Sequence, residues 1–60
     1  MDAKLLHDYG EVAKFHKAIR EGIATAVRAG SMNVAIDLVH GLEFTEALLE
    51  RLGEQLTGDE

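Results

Sequence analysis

A chain of 60 residues with six Lys or Arg against eleven Asp or Glu carries a formal charge of −5, and that acidity argues against electrostatic capture of nucleic acid. The sequence contains no cysteine, which excludes disulfide scaffolds, thiol nucleophiles and Cys-containing zinc sites. A chain this short buries only about 60% of its unfolded surface, so its core needs a supplement, and with disulfides excluded the expected one is self-association.

Apolar runs never exceed three residues, as at Val34, Ala35 and Ile36, while Asp2, Lys4, His7 and Asp8 interrupt the N-terminus. Neither a membrane-spanning helix nor a secretory signal is expected. The reading is a cytoplasmic protein with one small helical domain over residues 1–60. Met1 and the acidic tail suit a small reading frame.

From Leu5 onward, Tyr9, Val12, His16, Ile19, Ile23, Ala26 and Gly30 recur at alternating spacings of four and three, the spacing of a heptad seam. Leu6, Ala13 and Val27 widen one flank, and Lys14, Lys17, Glu21 and Arg28 fall on the far side. The pattern predicts one amphipathic helix over 2–29. Ala29-Gly30-Ser31 then predicts a sharp turn, with Gly30 in the left-handed position and Ser31 as the next N-cap.

Beyond the turn, Leu38, Leu42, Thr45, Leu49, Leu52 and Leu56 again repeat at four and three, with Met32, Ile36 and Val39 as a second stripe. A second helix over 32–56 is predicted. The leucine seam passes Gly41 without a change of phase, and an interior glycine costs only about 1 kcal/mol relative to alanine, so a continuous or kinked helix is expected. The alternative breaks it at Gly41, with Thr45 as a new N-cap and Phe44 and Leu49 as a hydrophobic staple. Residues 53–60 are polar and are expected to fray.

The fold class is therefore all-α, an antiparallel helical hairpin. Val34, Ala35, Ile36, Leu38 and Val39 are apolar around most of a turn, and one hairpin seam cannot cover them. Ala18, Gly22, Ala26 and Gly30 form a row of small residues that admits a close neighbour. Two hairpins assembling as a homodimeric four-helix bundle answer both features. The expected interface residues are Ala18, Gly22, Ala26, Ile36, Val39 and His16. His16, a seam histidine, would place like charges across a dimer axis on protonation. Residues 1–30 carry five basic and four acidic side chains and residues 31–60 one and seven, so Lys14, Lys17 and Arg20 are candidates to face Glu43, Glu46 and Glu50 across the hairpin.

Few constellations carry chemistry. Ser31, Thr25, Thr45 and Thr57 lie in no glycine-flanked elbow, the glycines are too dispersed for a phosphate loop, and two helices enclose no cleft. Enzymatic activity and a bound cofactor are not expected. Asp37-x-x-His40 puts a carboxylate and an imidazole one helical turn apart and resembles the Glu-x-x-His element of ferritin-like di-iron bundles. That resemblance implies Asp37 and His40 as ligands, joined by Glu11 or Glu43; it is the third reading. His7 and Glu11 share a face at i and i+4.

Residues 22–41 resemble the helix-turn-helix of bacterial repressors. Ala26 stands as the small residue of the first helix, Gly30 as the turn glycine, and Ile36 and Val39 as the residues seating a recognition helix. The resemblance implies a minimal DNA-binding regulator, with Asn33, Asp37 and His40 as the groove-facing side chains. That helix carries no Arg or Lys to meet phosphates or guanine, and a protein-interaction role ranks first. The reading is thus a small acidic interaction module, an adaptor, inhibitor or regulator, that self-associates and binds another protein.

Overall fold

A computed structural model describes residues 2–58 and shows two α-helices, α1 (Ala3–Arg28) and α2 (Met32–Thr57), packed as an antiparallel hairpin. The helix limits fall within a residue of those read from the sequence. Asp2 caps α1, its carboxylate accepting from the backbone N–H groups of Lys4 at 3.0 Å and Leu5 at 3.3 Å, and so satisfies two donors that no helical carbonyl can reach.

The turn is built by Gly30, whose φ of 76° is the sole positive value among the described residues. In that conformation the N–H of Ser31 reaches the carbonyl of Ala26 at 2.8 Å and that of Gly30 reaches Val27 at 3.0 Å. This is the paired closure of a Schellman motif. Ser31 differs from expectation. It precedes α2, and its carbonyl accepts from Ala35 at 3.0 Å, yet its side chain makes no capping bond. Its N–H is committed to the turn, and its ψ of 72° stops short of the extended 108° seen at Asp2.

Cross-helix neighbours set the register. Leu38 lies against Gly22, Ile19 against Gly41, and Tyr9 against Gly53, while His16 meets Thr45 at 2.7 Å. As one helix ascends, its partners descend. Ile19, Ala26, Ala35 and Thr45 are buried, and Leu5, Val12, Ile23, Leu38, Leu42, Leu49, Leu52 and Leu56 are half-buried around them. Most of both predicted seams thus turns inward.

Helix α2 runs unbroken through Gly41, so the alternative with Thr45 as an N-cap does not occur. Thr45 sits mid-helix and donates its hydroxyl to the carbonyl of Leu42 at 2.9 Å. The helix continues to Thr57, with Gly53 beside Tyr9 and Leu56 half-buried on the seam; of the tail expected to fray, Asp59 and Glu60 lie outside the described residues. The Cα extents are 47 × 15 × 11 Å, and the two helices are the whole of the described secondary structure, so they form a single layer.

Two glycines give opposite outcomes for one substitution. A Cβ at Gly10 would meet nothing within 4 Å, so Gly10→Ala is expected to stabilise the hairpin by about 1 kcal/mol through helix propensity. Gly30→Ala is expected to destabilise it by about 1–2 kcal/mol, because the left-handed conformation crowds a Cβ against the backbone. Urea denaturation midpoints of the two variants check both signs.

Candidate interaction surface

The centre of the seam is polar. Thr45 is only 1% exposed, and its hydroxyl has one hydrogen, which goes to Leu42. The oxygen must then accept from His16, so hydrogen-bond geometry assigns the proton on that ring to Nδ1. The arrangement leaves no buried side-chain polar atom unpartnered among the described residues. His16 is thereby engaged within its own chain.

The flanks of the seam define two outer faces. Because the helices run in opposite directions, equivalent heptad positions on α1 and α2 fall on the same side of the hairpin. One side carries Phe15 and Gly22 from α1 with Val34, Gly41 and Leu48 from α2, and Ala18 and Phe44 lie just beyond them. The glycine contacts with Leu38 and Ile19 anchor this assignment. The other side carries Leu6, Arg20 and Val27 with Met32, Val39 and Glu46, and Lys17, Ile36 and Glu43 lie beyond. The expected interface set is thus divided. Ala18 and Gly22 share the first face, Ile36 and Val39 the second, and His16 and Ala26 belong to the seam.

Gly22 shows why the row of small residues matters within one chain. A Cβ there would stand 3.3 Å from the Leu38 Cδ1, so within the chain its close neighbour is a leucine methyl. Gly41 likewise looks onto the Ile19 Cδ1 at 3.6 Å. Each glycine is a shallow hole floored by a methyl group. The two most exposed large apolar side chains, Phe15 at 62% and Phe44 at 64%, stand on this same face. Sequence reasoning passed over both, since Phe15 lies off the four-three seam and Phe44 served only as a staple for a helix break. Their flank positions were the available signal.

Charges organise along single helices. Every ion pair among the described residues is intrahelical: Lys4 with Asp8 at 3.0 Å, Lys14 with Glu11 at 3.4 Å, and looser contacts of His7 with Asp8 and Glu11 and of His40 with Glu43. The anticipated pairing of Lys14, Lys17 and Arg20 with Glu43, Glu46 and Glu50 is absent there, because Lys14 is engaged at i−3 and these side chains project from exposed positions. His40 stands 3.9 Å from Glu43, and Asp37 is exposed. No three metal-ligating side chains gather among the described residues.

The helix-turn-helix resemblance meets a geometric obstacle. That motif sets its helices at about 90–120°, whereas α1 and α2 stay in contact from Gly22 and Leu38 out to Tyr9 and Gly53. No helix among the described residues is long and apolar enough to cross a membrane. Compared with known proteins, the chain matches no family model, no curated protein and no solved structure. Its own residues carry the functional argument.

Two measurements test this geometry. Thr45→Val leaves the His16 Nδ1–H without its acceptor and is expected to cost about 1–3 kcal/mol. The double variant His16→Leu/Thr45→Val removes both partners and should recover most of that loss; a double-mutant cycle on chemical denaturation reads the coupling. At the N-terminus, the hydrogen bond from Lys4 holds the Asp8 carboxyl below its ordinary value. A depressed carboxylate contributes stability that is present above its unfolded pKa and lost as pH falls through the folded one. An NMR titration should therefore show Asp8 ionising at lower pH than in Lys4→Ala.

Proposed function

We propose that this chain is a small non-catalytic interaction module that self-associates and contacts another protein. One observation carries the reading. Among the described residues, nine large apolar side chains remain exposed (Leu6, Tyr9, Phe15, Val27, Met32, Val34, Ile36, Val39 and Phe44), against three buried apolar residues, two of them alanines. The accessible surface of 4495 Å² exceeds the roughly 3,900 Å² that size scaling assigns to a compact monomer of this mass. Exposed apolar surface in this proportion marks interaction sites.

The exposed residues also lie on both sides of a single layer of two helices. A second copy covering one side completes a four-helix bundle and leaves the other side for a different protein. The exposed acidic side chains of α2, Glu43, Glu46 and Glu50 among them, supply the polar rim typical of such surfaces.

Sedimentation equilibrium at micromolar concentrations is expected to return a dimer or larger species. A helical chain that stays monomeric throughout the concentration series would overturn the proposal.

A further inference from the structure

Resting on that reading, we infer which face joins the two copies and how: Phe15 seats on Gly22 of the partner subunit and Phe44 on Gly41 of the partner subunit, about a two-fold axis perpendicular to the helices. The same patch thus carries both the projections and the holes that receive them, as an isologous interface requires.

The register makes this possible. Along α1 the midpoint between Phe15 and Gly22 falls between Ala18 and Ile19. Along α2 the midpoint between Phe44 and Gly41 falls between Leu42 and Glu43. Ile19 lies opposite Gly41, and His16 opposite Thr45, so these two midpoints stand at one level of the hairpin. One axis through that level brings both phenylalanines over glycines at once. A two-fold axis parallel to the helices would instead bring Phe15 beside Phe44 and set Gly22 at the level of Leu38 and Gly41 at the level of Ile19, stacking bulk on bulk with no phenylalanine over either glycine.

Charge favours the same face. Between Glu11 and Arg51 at one end and the turn at the other, Asp37 is its one ionisable side chain, whereas the opposite face carries Lys17, Arg20, Glu43 and Glu46 near its middle. Burying the second face would desolvate Lys17, Arg20 and Glu46, which make no ion pair among the described residues, and Glu43, whose one contact is the loose one with His40.

The occupant is therefore a second copy, and the test separates the face from assembly itself. Phe15→Glu and Phe44→Glu, at exposed positions, are expected to weaken dimerisation at least about 30-fold in sedimentation equilibrium, the scale of a hot-spot residue, while Val39→Glu on the opposite face leaves it unchanged. With no native cysteine, Ala18→Cys beside the axis should oxidise to a covalent dimer, since its own copy comes within disulfide reach; Val39→Cys should not. This crosslink still reads the register if a phenylalanine variant fails to fold. A wild-type monomer overturns both this inference and the proposed function. Dimers that survive Phe15→Glu and Phe44→Glu, or an Ala18→Cys chain that does not crosslink, overturn this inference alone.

Discussion

Two helices can touch only along a line, and nearly every property of this protein follows from that limit. Each helix offers the other a narrow stripe, and whatever apolar surface lies beyond the stripe stays in water unless another chain covers it. In this hairpin the stripe closes over Ile19, Ala26, Ala35 and Thr45, while the larger side chains of the seam are only half-buried. Phenylalanine and valine on the flanks then stay largely exposed. The exposed surface is a consequence of geometry, not of a poorly packed seam.

Within that thin interior the His16–Thr45 pair has a role that leucine could not fill. Apolar side chains tolerate a slipped heptad, because one leucine replaces another. A slip of seven residues would set His16 against Leu38 or Leu52 and strand its Nδ1–H without an acceptor. A buried polar pair of this kind favours one alignment at some cost in stability, the role best attested for polar residues in coiled-coil cores. No charge pair crosses between the helices among the described residues, so electrostatics does not set the register. The alignment held at His16 and Thr45 is also what brings Phe15, Phe44 and the two glycine holes into one neighbourhood.

The glycines divide by physical role. Gly30 is needed for its backbone conformation, since the two hydrogen bonds that close α1 require a positive φ. Gly22 and Gly41 have ordinary helical backbones and matter for the space they leave, which the tips of Leu38 and Ile19 fill from the inner side. A lone sequence reads both kinds as candidate breaks, because the absence of a side chain looks the same in either case. The unbroken leucine phase across Gly41 was the clue that separated them.

The sequence by itself determined the local architecture: two amphipathic helices and the left-handed turn at Gly30, and it favoured an α2 that is not broken at Gly41. These follow from periodicity and backbone chemistry, which act over a few residues and leave their mark in spacing. It also determined that apolar surface would outrun one seam. Tertiary structure alone decided which residue met which. It paired His16 with Thr45, gave the neighbour of Gly22 as Leu38, kept the basic side chains of α1 from the acidic ones of α2, and sorted Ala18 and Gly22 onto one face with Ile36 and Val39 onto the other. A heptad pattern specifies which stripe of each helix faces inward, but not the relative sliding of the two stripes. That sliding is fixed by contacts between residues tens of positions apart, and spacing within one helix carries no record of them.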